Sequence, residues 1–203
     1  MPKSKKTKSS SNRWVFGTML VFGIIGLLAS FVLAIEEFHL LKNPDAVLSC
    51  SFNIVLNCST VMKTWQASVF GFPNMFIGLM GYSVVITVAV VGLSGTNLKR
   101  WFMVTANICY GLGALFAYWL FFNSVYVIEV LCPWCLVVTL ATTLLLATIT
   151  HYNLRENNFG FRTDIQNIIE IWQRHDVLKF ITAGWIVIMI ALVFIKFGES
   201  LFA

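Results

Sequence analysis

Four of the five cysteines fall into two pairs whose spacing suits redox chemistry. Cys132 and Cys135 are separated by a proline and a tryptophan, and this C-x-x-C spacing places both sulfurs on one face of a helix. Such a pair can close a small redox-active disulfide, and a helix N-terminus favours the reactive thiolate, which we expect at Cys135. Cys50 and Cys58, eight residues apart, can form a second disulfide in an oxidising compartment.

The spacing alone leaves other interpretations of these cysteines open. Buried cysteines in membrane helices are usually inert, and the loop pair could be a structural staple. We predict no metal, because His39, His151 and His175 are scattered along the chain and neither pair has a companion histidine. A relay between the pairs by thiol–disulfide exchange needs a terminal electron acceptor. Since Cys135 lies one turn deeper than Cys132, a membrane quinone is the natural candidate.

The composition places these cysteines in a membrane protein. The 203 residues are 58% hydrophobic and only 11% charged, and the mean hydropathy is +0.81. A globular domain of this size cannot bury so much apolar side chain. At roughly 20 residues per span, the length accommodates four or five membrane helices and no sizeable soluble domain. Most soluble enzyme folds are therefore excluded.

Five apolar runs predict an all-α fold with five membrane spans. The runs cover residues 14–35, 74–93, 101–122, 132–150 and 178–197. The first is longer than the core of a signal peptide and predicts an uncleaved anchor. The expected organisation is a basic tail, a four-helix bundle with a long outer loop, a polar linker containing a surface helix, and a fifth span with a short tail: residues 1–13, 14–150 with loop 36–73, 151–177 and 178–203.

Three smaller features complete this interpretation. A capping box at Thr163 predicts the start of the surface helix. Glu36 and Glu37, at the end of the first span, are interpreted as a solvated boundary. The aromatic residues of segment 116–122 are interpreted as an interface belt.

The basic residues predict the orientation of the chain. Segments 1–13, 94–100 and 151–179 hold 11 of the 14 Lys and Arg residues. If all five spans are real, these segments share one side, and the positive-inside rule makes it the cytoplasm. The 36–73 loop, the 123–131 loop and the C-terminus then lie outside the cell membrane, with all four paired cysteines at or near the outer face. The excess of basic over acidic residues therefore reflects membrane topology and does not indicate a nucleic-acid-binding face.

The arrangement resembles the prokaryotic branch of the vitamin K epoxide reductase family over about residues 14–150. The resemblance rests on four features in chain order: Cys50, the segment Cys58-Ser-Thr-Val-Met-Lys-Thr64, Phe70-Gly71, and Cys132-Pro-Trp-Cys135 at the head of the fourth span. It implies a four-helix transmembrane bundle around a quinone, either menaquinone or ubiquinone. It also implies that the loop pair passes electrons from a thioredoxin-fold protein to the C-x-x-C.

The resemblance further implies a role for each residue. Cys135 faces the quinone, Cys132 exchanges with the loop pair through Cys58, and Cys50 receives electrons from the partner. The family has a Ser or Thr six residues after the second loop cysteine, and Thr64 occupies that place. This hydroxyl is expected to form a hydrogen bond near the reactive sulfur and the quinone.

Two departures from the family pattern shape the expected activity. Prokaryotic relatives often carry a fused thioredoxin-like domain after the fifth helix, whereas this sequence ends at Ala203, so we expect a separate exported thioredoxin-fold (DsbA-like) partner. Exchange with it requires an exposed, mobile Cys50–Cys58 pair. Animal members have a tyrosine four residues after the last cysteine, where this chain has Thr139. Both departures favour a quinone-dependent thiol oxidase that supports disulfide formation. They argue against a vitamin K epoxide reductase of the animal type.

Two further alternatives are an enzyme of another fold and a membrane protein without redox activity. DsbB-type quinone reductases perform similar chemistry on an unrelated four-helix fold, but there a C-x-x-C precedes the widely spaced pair, the reverse of the order here. A small membrane transporter or scaffold would carry merely structural cysteines. A transporter predicts ionisable residues inside the spans, which are almost absent here, although their absence also fits a scaffold.

Overall fold

A computed structural model describes residues 5–45, 47–96 and 98–201, without the side chains of 5–12, 174 and 199–201. The predicted tails fall partly outside this range, at residues 1–4 and 202–203. The described part of the N-terminal tail is helical and continues into the first span. No proline or glycine lies between residues 5 and 13 to end a helix there.

Within the described residues, five helices are long and apolar enough to cross a membrane. They are α1 (Lys5–Lys42), α3 (Met75–Leu93), α4 (Arg100–Asn123), α5 (Pro133–Arg155) and α7 (Val177–Leu201). A helix satisfies its backbone hydrogen bonds internally, which the hydrocarbon core of a membrane demands. The protein is therefore an all-α, multi-pass membrane protein, as the apolar runs predict.

The bundle is assembled around α1 and α5, since α1 packs mainly against α3 and α5, and α5 also packs against α4. Close approach of α1 and α3 depends on Gly26, where an added Cβ would overlap the ring of Tyr82. The hydroxyl of Tyr82 donates to the carbonyl oxygen of Val138 at 3.0 Å and so joins α3 to α5. A buried cluster centred on residues such as Met19 and Ile149 fills the space between these helices.

Shorter elements lie outside the membrane-length helices. They are α2 (Cys58–Met62), a 3₁₀ turn (Trp65–Ser68), a π-helical turn (Ser124–Ile128) and α6 (Thr163–Arg174). Helix α6 lies in the segment where the sequence predicts a surface helix. The predicted capping box does not form, because Arg162 occupies the N-cap position and no side chain caps the helix.

The end of the bundle where α4 begins and α5 finishes, here called the opposite end, is closed by side-chain amides. Asn153 is fully buried. Its Nδ2 donates to the carbonyl oxygen of Met103 at 2.9 Å and to Oδ1 of Asn107 at 3.0 Å. Its Oδ1 accepts from Asn158 at 2.7 Å. The network ties α4, α5 and the following turn together without an unsatisfied group on Asn153.

Candidate redox site

The C-x-x-C lies at the N-terminus of α5, at the end of the bundle here called the cysteine end. Cys132 is the N-cap residue and Pro133 occupies the first turn, where its missing N–H leaves no hydrogen bond unmade. The backbone N–H of Cys135 donates to Sγ of Cys132 at 3.4 Å. Both cysteines are in the thiol form, with Cys132 buried and Cys135 half-buried.

The geometry stabilises negative charge on Cys132. A side-chain hydrogen bond from Cys135 lowers the pKa of the Cys132 thiol. The backbone N–H groups of Cys135 and Trp134 act in the same direction, whereas burial opposes them. The N-terminal N–H groups converge on the N-cap sulfur of Cys132, whereas the sequence predicts a thiolate at Cys135, which stays a prediction.

The loop pair is joined in a disulfide between Cys50 and Cys58. Cys58 is the first residue of α2, and the side chain of Asn57 caps this helix by accepting from the backbone N–H of Thr60 at 3.1 Å. Oδ1 of Asn57 also accepts from the hydroxyl of Ser51 at 3.0 Å. The residue before one cysteine therefore holds the residue after the other, which fixes the loop around the disulfide.

A short parallel β-bridge between Leu56 and Leu131 brings the two pairs together. The N–H of Leu131 donates to the carbonyl oxygen of Val55 at 2.7 Å, and the N–H of Asn57 donates to the carbonyl oxygen of Leu131 at 3.0 Å. Leu131 immediately precedes Cys132. Across the bridge, the sulfurs of Cys58 and Cys132 lie 3.3 Å apart. This separation suits attack by one sulfur on the other.

The expectation that the loop disulfide is exposed is wrong for this conformation. Cys50 is 2% exposed and Cys58 is 0% exposed. They share a buried apolar cluster with Cys132 and with side chains from α1, the loop and α2: Leu33, Leu40, Leu48 and Met62. The sulfurs of Cys50, Cys58 and Cys132 are thus shielded together, because loop 36–73 folds back over the cysteine end.

A profile of the vitamin K epoxide reductase family matches residues 18–150. The chain belongs to this family. The matched region contains all four paired cysteines and most of α1, α3, α4 and α5, whereas α6 and α7 lie beyond it. A search of the curated proteins found no match. The family is one of quinone-linked disulfide oxidoreductases in general terms, so the protein is a membrane oxidoreductase.

Thr64 lies between α2 and the 3₁₀ turn, and its hydroxyl makes a local hydrogen bond. Oγ1 donates to the carbonyl oxygen of Val61 at 2.7 Å. Because a hydroxyl has a single proton, Thr64 in this arrangement can accept a hydrogen bond from a ligand but cannot donate one. Its expected role beside the sulfur and the quinone stays a prediction.

The interpretation of Glu36 and Glu37 as a solvated boundary is wrong. Glu36 is only 8% exposed, and its Oε1 accepts a hydrogen bond from Ser49, the residue before Cys50. Oε2 of Glu37 is buried and has no partner among the described residues. No local signal could have found the contact between Glu36 and Ser49, because the two residues are thirteen positions apart with a turn between them.

A polar group suited to a ligand lies at the start of α3. Nδ2 of Asn74 donates to the carbonyl oxygen of Gln66 at 2.6 Å, while Oδ1 of Asn74 is buried and unpartnered within the described part of the chain. The next residue, Met75, packs against the same apolar cluster as Trp134 and Cys135. Oδ1 is a hydrogen-bond acceptor, so it pairs with the hydroxyl of a quinol, the reduced form of a quinone, and apolar walls suit the flat ring. The residues present therefore fit a quinone site through its reduced, quinol form.

The aromatic residues of α4 contact the outer loop in addition to facing outward. Trp119 packs against Trp65, with ring centroids 6.0 Å apart, and stacks on Phe116 at 5.9 Å. Phe116 also meets Phe70 at 5.5 Å. These contacts attach the loop segment around the 3₁₀ turn to α4, next to the start of α3. The predicted belt thus also positions the loop.

Proposed function

We propose that the protein is a quinone-dependent thiol oxidase that reoxidises an exported thioredoxin-fold protein and so supports disulfide formation. The observation that carries this proposal is the 3.3 Å separation between the sulfurs of Cys58 and Cys132. It is the point at which electrons pass from the loop pair to the C-x-x-C. A scaffold with structural cysteines has no need of a thiol held against a disulfide.

Electrons enter when a thiolate of the partner attacks Sγ of Cys50 and breaks the Cys50–Cys58 bond. A second partner thiolate then attacks the partner's own sulfur in the mixed disulfide, so the partner leaves oxidised and the loop pair is left as a dithiol. Because Cys50 is 2% exposed, the loop must open for this attack. Such opening would break hydrogen bonds that hold this part of the loop, including those that Asn57 accepts from Ser51 and Thr60.

Electrons then pass to an oxidised C-x-x-C. The thiolate of Cys58 attacks Sγ of Cys132, the Cys132–Cys135 bond breaks, and Cys135 leaves as a thiolate. The thiolate of Cys50 next attacks Cys58, which restores the loop disulfide and releases Cys132 as a thiolate. The described state, with a loop disulfide and two thiols on α5, corresponds to the protein at the end of this exchange.

A bound quinone supplies the acceptor for two electrons and two protons. Asn74 and Thr64 would hold it beside Cys135 in its reduced, quinol form, whose hydroxyl groups can donate to Oδ1 of Asn74 and Oγ1 of Thr64. The N–H groups at the start of α5 stabilise negative charge on Cys132, and the thiols of Cys132 and Cys135, on giving up two electrons and two protons, would close the Cys132–Cys135 disulfide again. The apolar cluster around both sulfurs excludes water from this step.

The decisive experiment is quinone reduction by the full-length protein with a reduced thioredoxin-fold partner. Cys135→Ala should abolish quinone reduction, and Cys109→Ala, a cysteine on α4 outside the relay, should leave it unchanged. A partner that lacks its resolving cysteine should accumulate as a mixed disulfide with Cys50. If the reduced partner drives full turnover in a protein lacking both Cys50 and Cys58, the relay is wrong.

The charge asymmetry supports an orientation in which the cysteine end lies outside the cell membrane. Thiols engineered into segments 36–73 and 198–203 should react with an impermeant reagent in intact cells. Thiols in segments 1–13 and 151–177 should react only after permeabilisation. Labelling of 151–177 from outside would overturn the five-span topology.

A further inference from the structure

Helix α7 lies beyond the region matched by the family profile, yet it completes the packing around the redox site. Met189 and Phe197 are each only 4% exposed. They share a buried cluster with Val55 and Leu131, the two residues joined by the shortest backbone hydrogen bond of the β-bridge. Side chains of α7 therefore belong to the same buried cluster as residues of the bridge that brings Cys58 to Cys132.

A second contact joins α7 to the segment that leads into Cys132. Nζ of Lys196 lies 2.6 Å from Oε1 of Glu129. Glu129 follows the π-helical turn and has a left-handed backbone, with φ of 57°. Residues 129 and 130 belong to no helix or strand, whereas Leu131 is held by the backbone hydrogen bonds of the β-bridge. The partly exposed charged pair adds a contact at the beginning of the segment, and the apolar cluster adds one at its end.

These contacts bear on one step, the exchange between the sulfurs of Cys58 and Cys132. We propose that α7 is a positioning element of the disulfide exchange, which holds segment 129–131 so that the sulfur of Cys132 faces that of Cys58. Phe197 and Lys196 are its positioning residues. The proposal rests on the proposed function in one respect: that function includes disulfide exchange between these two sulfurs.

The test isolates that exchange from every other step. In a full-length protein with Cys50, Cys109 and Cys135 replaced by alanine, Cys58 and Cys132 are the only remaining cysteines. Oxidised glutathione converts them to a disulfide and is reduced to two glutathione thiols, so the equilibrium constant reports how well the two sulfurs are held together. The constant is measured by alkylation and mass shift in a membrane mimetic.

Phe197→Ala should lower this constant by about threefold or more, which is at the low end of couplings between residues in contact. Ile195→Ala is the matched control, since Ile195 lies two residues away on α7 and is 82% exposed. It should leave the constant unchanged. Lys196→Met should lower the constant by a smaller factor, and Lys196→Arg, which keeps the charge, should restore it.

Equal constants for Phe197→Ala, Ile195→Ala and the parent would overturn the proposal and leave α7 as an anchor alone. If Phe197→Ala does not fold, Phe197→Leu and Lys196→Met decide the question in the same assay. The outcome is independent of the quinone. A protein that fails to reduce quinone would refute the proposed function while this equilibrium could still be read.

Discussion

At the opposite end of the bundle, Asn153 joins two regular helices through a network in which its own amide groups are all bonded. At the cysteine end, α2, a 3₁₀ turn, a π-helical turn and a single β-bridge replace regular structure. The hydrogen bonds there come from the β-bridge and from individual side chains such as Asn57. The opposite end is thus held between regular helices, whereas the cysteine end is assembled from short elements.

This difference matters because the loop disulfide is shielded in the described conformation. Partner access requires residues around Cys50 to move while the helices stay in place. The free energy of local opening is lowest where few apolar contacts and few backbone hydrogen bonds must be broken. Substitutions at the two ends should therefore have separable effects, with loss of reaction at one end and loss of stability at the other.

The largest effect is expected for Cys58→Ser, which should reduce partner-driven quinone reduction to background. Cys58 is the loop sulfur that lies against Cys132, so its loss removes the sulfur proposed to pass electrons to the C-x-x-C. Cys50→Ser is the matched comparison. It should also stop turnover but should accumulate an intramolecular Cys58–Cys132 disulfide, seen as a shift in electrophoretic mobility. A Cys50–Cys132 disulfide in the Cys58→Ser protein would reverse the assignment of the two loop cysteines.

A large loss of stability without loss of chemistry is expected for Asn153→Leu. The change leaves the carbonyl oxygen of Met103 and the side chains of Asn107 and Asn158 without their partner. Unsatisfied buried polar groups cost about 1–3 kcal/mol each, so the free energy of unfolding in a membrane mimetic should fall by about that amount or more. Exchange between Cys58 and Cys132 should keep its equilibrium constant. A changed constant would mean that the two ends are coupled.

A smaller effect, confined to the cysteine end, is expected for Asn57→Ala. The change removes the cap of α2 and the acceptor for Ser51. Loss of such a cap typically costs about 1 kcal/mol, and the loop disulfide should become more accessible to reductants. Asn57→Ser, which retains a capping oxygen, should restore most of the parental behaviour. The readout is the rate at which a small thiol reduces the Cys50–Cys58 bond, with Asn153→Leu as the comparison.

The sequence predicts the regular part of this molecule well, because long apolar runs are a strong signal for membrane helices. The type and spacing of the four cysteines likewise predict two redox-capable pairs, and the structure brings the sulfurs of Cys58 and Cys132 to 3.3 Å. Residues 14–35 correspond to the apolar centre of α1, although the helix continues to Lys42. Its last residues are more polar, and hydropathy alone gives no reason to extend the span.

The remainder depends on contacts between residues distant in the chain. The β-bridge joins Leu56 to Leu131, and Glu36 meets Ser49, without any local pattern that predicts either contact. The burial of the loop disulfide could not be predicted for the same reason, since it results from the loop folding back over the helices. The packing of Phe197 on the bridge is equally invisible in a span that reads as a plain membrane anchor.

The smallest effect is expected for Thr64→Val, which keeps the shape of the side chain and removes its hydroxyl. The hydroxyl donates to the carbonyl oxygen of Val61. Loss of this hydrogen bond should lower the free energy of unfolding by about 0.5–1.5 kcal/mol. If the same oxygen also accepts a hydrogen bond from the reacting ligand, quinone turnover should fall by up to about tenfold. The measurement compares turnover with the free energy of unfolding, and Thr64→Ser, which keeps the hydroxyl, is the control. Thr64 is assigned to the quinone site if the loss of turnover, expressed as a free energy, exceeds the loss in the free energy of unfolding and if turnover recovers in the serine variant. Unchanged turnover leaves it as a local tether of the turn, and the chemistry of the cysteine end then depends on its sulfurs and on Asn74.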